Sequence, residues 1–389
     1  MKVTTCSFTR YYMYDQAGEL EKRGYLNKLI TNYPKSQTRR FGASDKKVKS
    51  LLYTGLIHRI LRHTPNFLKK FFRPMIIKYM VDVFSKSVVN NIPKDTELFI
   101  GLTLYALEGL KKANEMGCIT VVDSGSIYLK FQQDIIDAER DKFGLDKGPR
   151  IKDWAIEKED KEFEEADYVF LPSEFAKETF VHGGIDVNKI RINPYGVELK
   201  DFIPLKKSDE VFRVIFVGGM TLPKGIHYLI KAFNDANIPN SELWMVGPGW
   251  PNDEVKVALT QMGTDTKKVQ FMGAKPQKEL SKYYSEASVF VFPSLADGYG
   301  LVVPQSLSCG TPVIVSSNAG SKDIIKDGYN GYNVPVCSSE AIKEKLIYLN
   351  QNPELLKKMK KNSIDSVLNG LTWNDYGDRL ALILDDMKK

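Results

Sequence analysis

At 389 residues the chain is long enough for two domains of ordinary size or one large one. Its 43% apolar and 26% charged residues are those of a soluble globular protein, which excludes a disordered or fibrous chain. The net charge of +7 is local: residues 35–80 hold twelve Lys or Arg against Asp45 alone, net +11, leaving the remainder at −4.

Read from the start, Lys2 to Ser7 is a predicted strand, followed by a loop through Thr9, Arg10, Tyr11 and Tyr12 and a helix that ends at Gly24. The opening MKVTTCSFTRYYMYDQ lacks the apolar core of a signal peptide, and no run approaches the ~18 apolar residues of a membrane span, so the expected address is cytoplasmic. Cys6, Cys118, Cys309 and Cys337 lie far apart with no paired spacing and read as buried thiols.

In the basic segment, Leu52, Tyr53, Leu56, Ile57, Ile60 and Leu61 share one arc of a helical wheel, with His58, Arg59 and Arg62 on the other. NFLKKFFRPMIIKYM follows, aromatic and basic together. Such a stretch fits an anionic membrane or acceptor surface, or a helical pair packed on its own domain with a solvated basic face. Nucleic acid is a remoter fit, since no nucleic-acid fold signature accompanies the charge.

Leu98 to Leu102 and Ile119 to Asp123 are predicted strands around a helix from Tyr105 to Met116. Asp123, Ser124 and Ser126 then stand at a strand's carboxyl end, where site residues of parallel sheets gather; helix capping is the serines' structural alternative. A polar helix, DWAIEKEDKEFEEA, leads into a strand from Tyr168 to Leu171, a capped helix, a short strand from Ile190 and a turn at Pro194 to Gly196. His182 reads as a loop histidine, and residues 202–209 as an interdomain linker.

The pattern then restarts. Val211 to Val217 is a strand, Gly218 and Gly219 a tight loop, and KGIHYLIKAFNDA an amphipathic helix. Lys224 at that helix start opposes the helix dipole unless an anion lies nearby, which points to a phosphate. Strands over Glu242 to Val246, Val269 to Gly273 and Val289 to Phe292 follow. Next come the loop Asp297-Gly298-Tyr299-Gly300, a helix from Leu301 to Cys309 and a strand from Pro312 to Val315. Glycines before a helix let backbone N–H groups approach an anion or sugar. Thr372-Trp373-Asn374-Asp375 is a capping-box pattern opening a last helix.

The string VFVFPSLADGYGLVVPQSLSCGTPVIVSS resembles the donor-site signature of the retaining GT-B glycosyltransferases of family 4, the glycosyl transferases group 1. There, two glutamates with seven residues between them flank a Gly-aromatic-Gly turn; here the positions hold Asp297 and Gln305. The resemblance is strongest from Val211 to Pro335 and moderate from Asp167 to Val197. It implies an α/β, GT-B architecture in which two Rossmann-like domains face each other across an interdomain cleft. The expected division is an acceptor-side domain over 1–203, a donor domain over 210–371, and a helix over 372–389 crossing back to the first.

The implied activity is retaining transfer of a sugar from a nucleotide-diphospho-sugar, a UDP-sugar ahead of a GDP-sugar, to an acceptor hydroxyl. The resemblance places Lys224, Gly298, Tyr299, Gly300 and Leu301 around the diphosphate, Asp297 on the sugar, Gln305 on the ribose diol and Gly273 near the base. Gly219 stands where the family pairs an arginine with the lysine, Tyr128 nearest a frequent histidine, and the first loop lacks the glycine-rich pattern. Asp123 joins Asp297 and Lys224 as the candidate catalytic set. No Asp-x-Asp is present, so no metal and no cofactor beyond the donor are expected. A lipid-linked saccharide is the expected acceptor, with residues 35–80 on the inner membrane face. The departures at 219, 297 and 305 keep a second reading open, a catalytically impaired partner or regulatory subunit.

Overall fold

A computed structural model describes residues 1–8, 12–55, 66–146 and 151–388. Arg10 and the helical arc from Leu56 to Arg62 lie outside these residues. Two wholly parallel sheets organise the chain. The first has seven strands in the order β3-β2-β1-β4-β5-β6-β7, and the second six in the order β10-β9-β8-β11-β12-β13. In the first, β1 (Val3–Ser7), β2 (Leu26–Thr31) and β3 (Val48–Ser50) run outward one way, then β4 (Leu98–Leu102), β5 (Ile119–Asp123), β6 (Tyr168–Leu171) and β7 (Ile190–Ile192) the other. The second sheet repeats this with β8 (Phe212–Val217), β9 (Ser241–Val246) and β10 (Val269–Gly273), then β11 (Val289–Phe292), β12 (Val313–Ser316) and β13 (Gly331–Val334).

β1, β4, β8, β11 and β12 are buried at every position, as continuous apolar and β-branched runs covered on both faces should be. The strand order reverses between β1 and β4 and between β8 and β11. Loops leaving those strand ends flank the crevice where doubly wound sheets hold ligands.

The helices that matter for the site are α1 (Met13–Lys22), α2 (Asn66–Val89), α3 (Leu107–Glu115), α4 (Leu129–Lys142), α5 (Asp153–Glu165) and α6 (Glu174–His182) in the first half. In the second they are α7 (Ile226–Ala236), α8 (Asp253–Gln261), α9 (Gln277–Glu286), α10 (Val302–Ser308) and the final α13 (Trp373–Asp386), preceded by α11 (Ser339–Gln351) and α12 (Pro353–Leu368). No described helix is long and apolar enough to cross a membrane.

The final helix does not pack on the sheet that precedes it. Tyr376, Leu380 and Leu384 enter the core between α1 and the first sheet, and the Thr372 capping box starts the helix where the chain crosses over. The two crossings are tied together: Val197 N–H bonds to Leu371 O at 2.9 Å, and a Cβ on Gly196 would stand 2.4 Å from Trp373 N. A glycine is required where two chain crossings touch this closely.

Beneath α13, Asp123 is buried and accepts hydrogen bonds from Tyr12 Oη and Gln16 Nε2, both at 2.7 Å, while Gln16 also donates to Tyr376 Oη at 2.8 Å. Burial pushes the Asp123 carboxyl up to about 6, against the two bonds that favour its charge.

A second junction joins the halves through side chains. Glu139 of α4 accepts Tyr228 Oη at 2.6 Å and lies 2.8 Å from His227 Nε2, both on α7. Burial lowers the His227 pKa, so the neutral ring donates Nε2–H. Burial works against the Glu139 charge, yet the bonds from His227 and Tyr228 hold its pKa below the ordinary value. Next to it Arg140 bonds Glu254 of α8 at 2.7 Å.

Each junction yields a prediction. Asp123 has a folded pKa above the ordinary 3.8, so the native state holds the extra proton and stability falls as pH rises from about 4 to about 6. Denaturant titrations of wild type and Asp123→Asn should diverge by about 3 kcal/mol across that window, the wild type losing ground; parallel curves would contradict the burial argument. Glu139→Ala removes the acceptor of the His227 Nε2–H and Tyr228 O–H donors, at about 1–3 kcal/mol each, although Lys142 still donates to Tyr228 Oη. An unchanged unfolding midpoint for that variant would mean the interdomain bonds contribute nothing.

Candidate functional site

The two halves meet at the loop after β11. A Cβ on Gly298 would lie 2.7 Å from Gly125 O and from Ser126 Cα, so the Asp297–Gly300 turn rests backbone to backbone on the loop after β5. Ser173, at the start of α6, donates its Oγ to Gly298 O at 2.7 Å, and the Ser173 Oγ also caps α6 by accepting Ala176 N–H. Tyr299 crosses over entirely: it is 2% exposed, sits edge-on to Tyr195 and donates its hydroxyl to Tyr195 O at 2.9 Å.

This contact has a cavity on either side. The first, about 330 Å³, is lined by Lys224, Asp297 and Gly298 from the second half and by Ser124, Ser126 and Glu159 from the first. Its volume is in the range of small-ligand pockets. Inside it Lys224 Nζ lies 2.6 Å from Asp297 Oδ2, while Asp297 Oδ1 accepts the N–H of Tyr299 at 3.1 Å. Lys224 ends a short 3₁₀ turn, Leu222–Lys224, and α7 starts after Gly225, which is left-handed at φ +64°. The lysine therefore stands two residues ahead of the helix it was expected to open, and the anion beside it is Asp297.

The second cavity, about 340 Å³, lies on the crossing side and is lined by Leu301, Gln305, Lys278, Tyr12, Arg40 and Glu198, among others. Asp297 and Gln305 thus belong to different cavities, one before and one after the Tyr299 crossing. Gly219 faces open space, where an added Cβ would meet nothing within 4 Å. Gly273 closes β10 at φ +70° and its carbonyl accepts Gly247 N–H at 3.1 Å. Gly300 takes φ +78°, the left-handed turn that precedes α10.

One expected site residue turns its side chain elsewhere. The Asp123 carboxylate turns away from the crevice into the Tyr12–Gln16–Tyr376 network, because two buried donors meet it there; its neighbours Ser124 and Ser126 line the first cavity instead. Tyr299 contributes backbone only, since burying its ring against Tyr195 outweighs exposing it to a polar cavity. Tyr128 is likewise committed, donating to Asp160 Oδ1 at 2.7 Å. His182 packs on Phe131 outside both cavities, at 5.4 Å between ring centroids.

Glu159 and Gln132 line the first cavity without having been singled out from sequence. A signal existed for Glu159. On α5, Ala155, Glu159, Glu162 and Phe163 are spaced as one helix face, and all four are buried. Acids at core spacing are worth following. Glu162 is explained by structure: it accepts the N–H groups of Leu104, Ala106 and Leu107 at the start of α3, at 2.7, 2.9 and 3.1 Å. Among the described residues no cluster of three or more His, Cys, Asp or Glu side chains is arranged to hold a metal ion.

Residues 198–366 match the family model of glycosyl transferases group 1. An uncharacterized glycosyltransferase of Methanocaldococcus jannaschii is 37% identical over 149 residues, 36% of this chain and 38% of that protein. The alpha-monoglucosyldiacylglycerol synthase of Acholeplasma laidlawii is 28% identical over 191 residues, 48% of this chain and 47% of that one. The chain thus spans less than half the length of these curated relatives. Solved structures align throughout. Sucrose-phosphate synthase from Thermosynechococcus elongatus superposes with a TM-score of 0.74 at 19% identity, covering 100% of this chain and 99% of that one. Anabaena HepE in complex with UDP and glucose gives 0.68 at 13%, covering 99% and 100%. The fold is GT-B, and the second half of the chain carries a glycosyl transferases group 1 domain.

Proposed function

We propose that the protein is a retaining glycosyltransferase that moves a sugar from a nucleotide-diphospho-sugar to an acceptor hydroxyl. The observation that carries this is the Lys224–Asp297 pair, 2.6 Å apart in a polar cavity walled by both halves, within a region that matches the group 1 family. On this reading residues 1–203 form the acceptor side, residues 210–371 the donor side, and residues 372–389 return to the first.

The donor diphosphate replaces Asp297 as the partner of Lys224. That exchange frees the carboxylate to hold sugar hydroxyls and to offset positive charge developing on the ring. The backbone N–H groups of Gly300 and Leu301, entering α10, face the leaving phosphate. Gly219 leaves room beside it, and the region of Gly273 takes the base. Gln305, in the neighbouring cavity, receives the ribose diol through an amide that both donates and accepts. The bond from the anomeric carbon to the diphosphate oxygen breaks, the bond to the acceptor oxygen forms on the same face, and the acceptor's proton passes to the departing phosphate oxygen. No residue is needed as base and no metal as Lewis acid. The HepE complex with UDP and glucose supports a UDP-sugar ahead of a GDP-sugar.

A lipid-linked saccharide or glycolipid acceptor at an inner membrane face, as in surface polysaccharide synthesis, is supported by the relative named as a diacylglycerol glucoside synthase. It is supported also by the surface. Leu52, Tyr53, Met75, Ile77 and Tyr79 are exposed around residues 56–74, and Lys35, Arg39, Arg40, Lys49 and Lys78 are exposed nearby in sequence. Apolar side chains and cationic groups together suit an anionic bilayer surface, where each cation is worth about 1 kcal/mol.

Calorimetry with UDP and GDP tests the donor site. One nucleotide should bind, equally well in EDTA. Lys224→Ala should weaken it roughly 10- to 100-fold, the value of a charge-assisted bond. Asp297→Asn should instead bind it more tightly than wild type, because the competing carboxylate is gone. Failure of every nucleotide to bind would defeat the enzyme reading, and equal affinity of wild type and both variants would defeat the exchange. For the acceptor side, vesicles containing anionic lipid should retain the protein at low salt and release it at high salt; no retention at low salt would argue for an acceptor in solution.

A further inference from the structure

The wall of the first cavity that faces Lys224 and Asp297 carries one acid that the reading above does not use. Glu159 of α5 is 1% exposed and lines the cavity with Ser126 and Gln132. Its Oε2 accepts the N–H of Leu129 at 3.0 Å, and no other hydrogen-bond partner is found for the carboxyl among the described residues. A carboxyl group offers about four acceptor positions, so most of this one's capacity is open to whatever enters.

Its neighbours on α5 are all committed. Lys158 bonds Glu108 at 3.1 Å, Asp160 accepts Tyr128 Oη at 2.7 Å, and Glu162 holds three N–H groups of the turn into α3. One buried acid on that helix is unexplained by structure, and it is the one at the cavity. Burying a carboxyl with a single bond costs stability, and such costs are kept where function requires them. The chain holds a further departure at the same wall: Leu104, also lining the cavity, is a non-glycine residue at φ +72°.

We propose that Glu159 is an acceptor-selecting residue, bonding a hydroxyl of an incoming saccharide or polyol headgroup so that the neighbouring hydroxyl faces the sugar held at Lys224 and Asp297. The inference rests on the glycosyl-transfer reading. Donor groups come from the second half and the acceptor must enter against the first, so the two carboxyl groups of the cavity divide the substrates between them. Burial, with Glu162 and Asp160 adding like charge, raises the Glu159 pKa well above the ordinary value, a shift toward the protonated form. A neutral carboxyl both donates and accepts, which matches a hydroxyl. Glu159 takes no part in bond making; Gln132 and Ser126 complete the polar wall.

The test compares the full-length wild type with Glu159→Gln and Glu159→Leu. The donor is UDP-glucose or GDP-mannose, according to which nucleotide binds. Nucleotide release is followed with water alone and with octyl β-glucoside, myo-inositol or diacylglycerol vesicles as acceptor. Nucleotide affinity and release to water should stay within twofold of wild type, while the KM for the accepting molecule rises tenfold or more in Glu159→Leu and less in Glu159→Gln. The melting temperature of Glu159→Gln should equal or exceed that of wild type, since a buried acid has been replaced by an amide that still accepts Leu129 N–H. A melting temperature several degrees lower with acceptor KM unchanged would show a structural cap and overturn the proposal. A matching loss of nucleotide affinity would assign Glu159 to the donor and overturn it equally. A wild type that releases nucleotide to none of these acceptors, nor to water, would sink the transfer reading itself and the role of Glu159 with it.

Discussion

The close approach of Gly298 to the Gly125–Ser126 backbone is the constraint on which the rest depends. With no side chain at 298 the two halves meet main chain to main chain, and the turn that carries Asp297 is fixed by both. Ser173 Oγ on Gly298 O and Tyr299 Oη on Tyr195 O satisfy what that contact would bury, so the junction costs few unpaired polar atoms. A larger residue would separate the halves at the point where the candidate site needs them together. The Glu139–His227 and Arg140–Glu254 bonds hold the same two halves from a different direction, through α4.

Buried acids serve three different purposes here, separable by counting their bonds. Glu162 replaces missing hydrogen bonds at the start of α3, Asp123 ties α1 to the strand end under the final helix, and Glu139 bridges the halves. Each has two or more partners; those of Glu139 hold its pKa below the ordinary value, while burial still outweighs those of Asp123 and Glu162. Glu159 has one. The difference is one of environment rather than residue type: three acids face protein donors, and the fourth faces a cavity.

Much of this was legible in the sequence, and the rest was hidden for physical reasons. Strands buried on both faces announce themselves as unbroken apolar runs, which is how β4, β8, β11 and β12 were readable. β2, with Asn27 and Lys28 inside it, and β3, three residues with only Val48 buried, carry no such run. Lys49 therefore lies in an edge strand, although the charge pattern around it suggests only a helix. The Thr372 capping box was readable because its hydrogen bonds are local. The direction of the Asp123 carboxylate was hidden because sequence shows that a side chain is near a strand end, not which way it turns, and partners distant in sequence, Tyr12 and Gln16, decided it.

The spacing between Asp297 and Gln305 gains a physical meaning from the two cavities. A single pocket would need no buried residue between the two polar side chains. Here Tyr299 stands between them, driven into the first domain's core, and Leu301 follows it onto the other side. On the proposed reading the motif is a partition: sugar and acceptor meet on the Asp297 side, the nucleoside lies on the Gln305 side, and the diphosphate passes the N-terminus of α10 between them. Weakening the nucleoside contact from carboxylate to amide then leaves the transfer cavity untouched, because no side chain serves both. On the same reading Gln305 stands in one cavity while Lys224 and Asp297, the proposed chemical pair, face the other.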